Sequence, residues 1–219
     1  ARLVPGTLKM LEIVNSGMLG DILGVEGKFC YTMDEDEMDH HVFKSENGGG
    51  SLLDVGVYGL NFASWYLGKD VTEINAQANL FNDVDAHTCV LMKYKSGAIA
   101  DVSSAVLLRK PNEGYVYGTK GYAYLPRFYA PQEIKLQLNN GESEIISTPY
   151  KGNGFEGVGE RAPILVSSRP SRRTISILSN LTFLVFIQHK IDLSRRSIRK
   201  EIIAKRKASS SSQFQSLQS

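Results

Sequence analysis

Cysteine is nearly missing from this sequence: among 219 residues only Cys30 and Cys89 carry thiols. Two thiols make no disulfide framework, and both sit in strand-like runs, so they read as reduced core residues of a cytosolic protein. Long apolar runs are missing as well. The apolar run at 175–187 has thirteen positions, two of them Ser, one Asn and one Thr, short of the roughly twenty residues that span a bilayer. It reads as a core strand or helix, and a membrane partner is not favoured. No signal peptide opens the chain, which starts at Ala1 rather than Met; that suits a fragment, in which a missing targeting signal says little. Aromatic residues are absent from the basic run at 195–207, and no motif of a nucleic-acid reader accompanies it, so a nucleic-acid partner is not favoured either.

What is present is an ordinary globular share of apolar residues, 42%, beside a divided charge. Residues 1–156 hold 13 Lys and Arg against 20 Asp and Glu, a balance of −7, whereas 157–219 hold 12 against 3, a balance of +9. Two segments are therefore expected: a folded domain over 1–156, and over 157–219 a divergent basic tail, partly disordered.

Within 1–156 the spacing of Leu8, Leu11 and Val14 predicts a helix over 5–17 that stops at Gly17. A strand is expected over 22–31. After Gly68 strand-like runs follow in quick succession at 71–80, 87–94, 99–108, 115–117, 122–125, 134–138 and 144–147. Short turns such as Lys95-Ser96-Gly97, Thr119-Lys120-Gly121 and Asn139-Asn140-Gly141 connect several of them. Short turns join antiparallel neighbours. The fold class expected is α+β: a mostly antiparallel open sheet with two helices on one face.

The most informative stretch is 48–68, GGGSLLDVGVYGLNFASWYLG. Three glycines let the backbone approach a neighbour closely, Ser51 is placed to open a helix, and Gly68 is placed to close it. At helical spacing Leu53, Val57, Leu60 and Ser64 share one face, and Asp54, Tyr58, Asn61 and Trp65 share another. A carboxylate, a phenol and an amide in a row suit the positioning of hydroxyl groups. Two plainer roles compete: Ser51-x-x-Asp54 also fits a capping box, and Trp65 suits simple packing. The preceding acidic loop, DEDEMDHH at 34–41, offers oxygen donors and imidazoles to a divalent metal. Adjacent histidines in extended chain point apart, however, so no metal is assigned.

The string at 48–58 resembles the signature helix of the glucose-fructose oxidoreductase, inositol dehydrogenase and MocA family, in the branch of dihydrodiol and xylose dehydrogenases. Gly48, Gly49, Gly50, Asp54 and Tyr58 match it position by position, and Val84-Asp85 and Gly118-Thr119-Lys120-Gly121 resemble further landmarks. The agreement runs from about Arg2 to Glu156. The resemblance implies a substrate-binding C-terminal domain that forms a homodimer through the outer face of its sheet. It implies a sugar or cyclic diol as substrate, NADP or NAD as cofactor, and Tyr58 as the proton-transferring residue assisted by Asp54. Asn61, Arg2 and His41 are expected to contact the substrate, His41 because the loop before the glycines lines the cleft in the family. Arg2-Leu3-Val4-Pro5 resembles the motif that joins this domain to a preceding Rossmann domain, which is therefore expected to be absent from this chain.

Gly152-Asn153-Gly154-Phe155-Glu156-Gly157 fits the G-x-G-x-x-G fingerprint in letters only. Pro149 and Pro163 crowd the strand and helix that the fingerprint needs, and no acid stands near residue 177. A tyrosine acts as a proton carrier only when its pKa falls well below the usual value of about 10. In the family a lysine of a Glu-Lys-Pro motif supplies that shift; this chain has no such motif, and Lys120, in a hairpin turn, reads as structural. The chain by itself is therefore expected to be inactive. The rival reading is a non-catalytic dimerisation or interaction module with a basic tail.

Overall fold

The alternation of side chains along each strand decides how this domain is layered. On β3 (Val84–Tyr94), Ala86, Thr88, Val90 and Met92 are buried while His87, Cys89, Leu91 and Lys93 face the other way. A period of two is what a sheet with one covered face requires. The computed structural model describes residues 4–34, 37 and 39–150. The expectations for Arg2, for the glycine run at 152–157 and for the tail at 157–219 lie outside the described residues.

Helix α1 (Pro5–Asn15) begins with Pro at its first position, where a missing N–H costs nothing. It ends two residues short of Gly17, because the Ser16 hydroxyl donates to the Ile13 carbonyl at 2.8 Å and the chain then turns left-handed at Gly17, φ 74°. Strand β1 (Ile22–Cys30) follows, and two short 3₁₀ turns (His41–Phe43 and Ser45–Asn47) lead to the second helix. That helix opens with a π turn (Leu52–Gly56) and continues as α2 (Val57–Leu67). The remaining strands are β2 (Val71–Phe81), β3, β4 (Ile99–Ala105), β5 (Glu113–Gly118), β6 (Gly121–Pro126), β7 (Glu133–Leu138) and β8 (Ser143–Ser147).

All eight strands form one sheet in the order β2-β3-β4-β1-β5-β6-β7-β8. Every neighbouring pair is antiparallel except β1 with β4, which run parallel, with Gly27 opposite Val102. The mixed, mostly antiparallel α+β architecture is the one expected. Its central parallel pair arises because α2 and the β2–β3 hairpin both lie between β1 and β4 in sequence. No helix among the described residues is long and apolar enough to cross a membrane.

The core lies between the sheet's inner face and the helices. It includes Met10 and Ile13 of α1, Leu60, Phe62 and Ala63 of α2, and Val25, Val90, Val102, Val116 and Leu125 of the sheet. The buried face of the second helix is Leu52, Val55, Gly56, Gly59, Leu60 and Ala63, whereas Leu53, Val57 and Ser64 are only half-buried. The expected 53/57/60/64 face is thus rotated, because the helix approaches the sheet over its glycines. A Cβ on Gly59 would stand 2.6 Å from Val102 Cγ1 and 3.3 Å from the Gly27 carbonyl, and one on Gly27 would stand 3.3 Å from the Gly59 backbone. The contact brings α2 onto β1, which also sets where the side chains beyond it meet.

Gly59→Val therefore costs about 1–3 kcal/mol by overpacking, measured as a lower urea midpoint at unchanged slope. An unchanged midpoint would show that the helix and sheet are not in contact at this point.

Candidate active site

The approach to the second helix is built around a buried carboxylate. Asp85, wholly buried on β3, accepts from the Leu52 N–H at 2.7 Å, the Ser51 hydroxyl at 2.9 Å and the Thr88 hydroxyl at 2.8 Å, all through Oδ2. The Ser104 hydroxyl stands 3.0 Å from that of Ser51. A carboxylate at this end satisfies exposed backbone donors and complements the helix dipole. Gly50, at φ 115°, has to be glycine for two reasons: its backbone is left-handed, and a Cβ would collide with Asp85 Oδ1.

This arrangement replaces the capping box. Ser51 is itself helical (φ −62°, ψ −34°) and makes no side-chain cap, and the anion at the helix start comes from β3. Asp54 is thereby left to another task. Its Oδ2 accepts from the Tyr31 hydroxyl at 2.7 Å. Burial, followed by the hydrogen bond and the charge of Asp54, pushes the Tyr31 phenol well above its usual range, so Tyr31 stays a donor to Asp54 at ordinary pH. An ionised carboxylate accepts about four hydrogen bonds, and Tyr31 uses one.

Tyr58 lies on the side of α2 that faces the same end of β1. It is 37% exposed, and its ring meets Phe29 at 5.5 Å and Tyr129 at 6.2 Å. Phe29 and Tyr129 stack on each other at 4.1 Å with only 10° between their planes. Arg127, in a left-handed conformation (φ 51°), holds its guanidinium 5.9 Å from the Tyr129 ring. Phe29, on β1, and Tyr31, one residue past its end, receive Tyr58 and Asp54 respectively. The result is a carboxylate held by a phenol, an accessible phenol, and an aromatic wall beside them. A carboxylate and a phenol exchange hydrogen bonds with hydroxyl groups, and aromatic faces take the flat apolar side of a ring.

The other expected residues do not join this group. The Asn61 side chain donates to the Val57 carbonyl one turn back, at 2.7 Å. Trp65 packs edge-on against Phe62 at 6.4 Å and belongs to the core margin. Both lie with Tyr58 on regular α2, and it is these contacts, not the helix spacing, that take them out of the group. His41 is exposed, and its ring lies 4.1 Å from that of His40. The two histidines thus come together where extended chain would separate them, because the backbone turns at 41–43; His40 Nδ1 accepts from the Val42 N–H at 3.4 Å. Among the described residues no three His, Cys, Asp or Glu side chains converge as metal ligands do. Lys120 lies in the β5–β6 turn, its N–H donating to the Leu19 carbonyl at 2.9 Å.

The described residues do not fit a dinucleotide. A glycine-rich turn entering a helix is the usual phosphate cradle, but here the carboxylate of Asp85 already occupies that helix end. Tyr31, Phe29, Tyr129 and Arg127 escaped sequence reasoning. For Phe29 and Tyr31 a signal existed, their alternation at the end of a strand; for Tyr129 and Arg127 there was none.

A family model described as the GFO/IDH/MocA C-terminal domain matches residues 7–124. Among curated proteins, the chain is 28% identical over 163 residues to a trans-1,2-dihydrobenzene-1,2-diol dehydrogenase of Mus musculus, covering 72% of this chain and 46% of that protein. The chain thus spans about half the length of such curated relatives. Among solved structures, a variant of KijD10, a 3-ketoreductase from Actinomadura kijaniata in complex with TDP-benzene and NADP, superposes with a TM-score of 0.72 at 18% identity, over 84% of this chain and 58% of that one. An aldose-aldose oxidoreductase from Caulobacter crescentus complexed with glycerol gives 0.65 at 23% identity, over 74% and 52%.

Asp85→Ala removes three hydrogen bonds to one charge and leaves the Leu52 N–H without its acceptor. The expected loss is at least about 2 kcal/mol of unfolding free energy, read by urea titration. A loss below about 0.5 kcal/mol, within the range of ordinary surface substitutions, would contradict the role given to this carboxylate.

Proposed function

Since the chain belongs to the GFO/IDH/MocA family through that family's C-terminal domain, we propose that it is the substrate-binding part of a nicotinamide-dependent oxidoreductase acting on a hydroxyl of a sugar or cyclic diol. The observation that carries this reading is the Tyr31–Asp54 pair at 2.7 Å beside the accessible phenol of Tyr58 and the Phe29–Tyr129 stack. Asp54 accepts a hydrogen bond from one ring hydroxyl and fixes the ring's rotation. Tyr58 then meets the neighbouring hydroxyl and exchanges its proton, while the aromatic wall excludes water from one side. A nicotinamide, NADP or NAD, would supply the hydride acceptor, and a nucleotide-binding unit other than the described residues would hold it. Without that unit the chain binds substrate and does not turn it over.

The relatives support the substrate class, since one is named for a cyclic diol and another for aldoses. In this reading a second copy pairs across the outer face of the sheet, where Leu91, Ile99, Tyr117 and Tyr122 are exposed. The two free thiols suit a cytosolic setting.

Titration of the chain with D-xylose and with trans-1,2-cyclohexanediol, followed by amide NMR, tests the proposal. Shifts are expected at residues 29–31, 52–58 and 127–129, and Asp54→Asn weakens binding about tenfold, the equivalent of 1.4 kcal/mol. Shifts confined to the outer face, or affinity unchanged in the variant, would overturn it.

A further inference from the structure

The turn that follows β6 carries a charge that the site above does not use. Arg127 stands at φ 51°, where among the described non-glycine residues only Asn82 and Asp83 keep it company. Short polar side chains such as theirs suit left-handed backbone, and an arginine does not. Its position is imposed by neighbours. The Arg127 N–H donates to the Asn112 carbonyl, and the Arg127 carbonyl accepts from the Ala130 N–H, both at 2.7 Å. The Asn112 side chain in turn accepts from the Cys30 N–H at 2.8 Å, and the Tyr150 hydroxyl donates to the Ala130 carbonyl at 3.4 Å. The turn is thereby fixed to the end of β1, next to Phe29.

This places the guanidinium at the rim of the candidate site. Tyr129 stands between the two, its ring 6.2 Å from that of Tyr58 and 5.9 Å from the guanidinium. Hydrogen bonding to the Tyr129 side chain, followed by the charge of that phenol, raises Arg127 above its already high ordinary value, so it is a cation at every working pH. The ion pairs among the described residues run from lysine to carboxylate, and none includes Arg127. An exposed arginine commonly meets only water. This one is held in a costly backbone conformation, against an aromatic wall, beside groups that suit hydroxyls. Phe29 shares the strand parity of Val25 and Gly27, which meet the core and α2, so this corner lies on the helix side of the sheet. A second copy paired across the outer face does not cover it.

We propose that Arg127 binds a carboxylate of the substrate, an inference that rests on the reading of Asp54 and Tyr58 as the groups that meet its ring hydroxyls. The substrate class narrows to cyclic sugar acids. A planar guanidinium offers paired N–H donors to both oxygens of a carboxylate. One cation matches one negative charge, whereas a phosphate monoester carries nearly two at neutral pH. With the carboxylate at Arg127, the apolar side of the ring lies on Tyr129 and the hydroxyls reach Asp54 and Tyr58. Arg127 thus sets which end of the ring faces the phenol, and it takes no part in proton transfer.

The test compares D-glucuronate with D-glucose, which has a hydroxymethyl group in place of the carboxylate, and with D-glucose 6-phosphate, by amide NMR titration of the chain. Glucuronate should bind about tenfold tighter than glucose, with shifts at 127–130 added to those at 29–31 and 52–58. Its advantage should shrink as salt is raised from about 10 mM to about 150 mM. Arg127→Gln should bring glucuronate down to the level of glucose. Arg127→Gly should do the same while unfolding at no lower urea concentration than the parent, because glycine accepts the left-handed backbone. Equal affinity for the two sugars, with the shifts at 29–31 and 52–58 retained, would overturn the carboxylate assignment and leave the hydroxyl-binding reading standing. Tighter binding of the phosphate, or a glucuronate preference that survives in both variants, would overturn the assignment as well. Shifts absent from 29–31 and 52–58 with every sugar would overturn the reading itself, and the assignment with it.

Discussion

The structure depends on one buried negative charge placed against the start of one helix. Asp85 belongs to β3, yet it holds Ser51 and the Leu52 N–H and forces glycine at position 50. A buried carboxylate is costly unless several donors meet it, and three do here. Because this anion comes from the sheet, the helix is fixed to the sheet at its first turn. Asp54 is released from capping and turns to Tyr31. The residue that satisfies the backbone is therefore not the one that meets Tyr31.

A second constraint is the close approach of Gly59 to Gly27. With no Cβ on either side at this crossing, α2 lies against β1 and Phe62 reaches the core. Only then do Tyr58 and Asp54 come level with Phe29 and Tyr31 at the end of the strand. At the glycine turn it is Asp85, already seated against the Leu52 N–H, that leaves no place for phosphate. In the reading proposed here the described residues supply the substrate's side of an oxidoreductase.

Much of this was legible in the sequence, and the reason is local. Period-two alternation and short turns gave all eight strands within a few residues, and Pro5, Leu8, Leu11 and Val14 gave α1. The stretch at 48–58 stood out through its glycines, Asp54 and Tyr58. What escaped was set by distance along the chain or by irregular backbone. Asp85 stands 33 residues from the N–H that it caps, and no local pattern shows such a partner. Asn61 turned its amide back to the Val57 carbonyl and Trp65 packed on Phe62, contacts that helical spacing alone does not show. The His40–His41 pair closed up because a 3₁₀ turn replaced extended chain, and Cys89 was taken for core because half-buried and buried strand positions look alike in sequence.

The central claim is that Asp54, freed by Asp85 and held by Tyr31, positions a hydroxyl beside Tyr58. A crystal structure of the chain soaked with trans-1,2-cyclohexanediol tests it most directly. One hydroxyl should lie within about 3 Å of an Asp54 oxygen and the other within about 3 Å of the Tyr58 oxygen, with the ring against Tyr129 and the Tyr31–Asp54 bond intact. A diol seated elsewhere, or Asp54 turned back to the helix start with Tyr31 unbonded, would contradict the account.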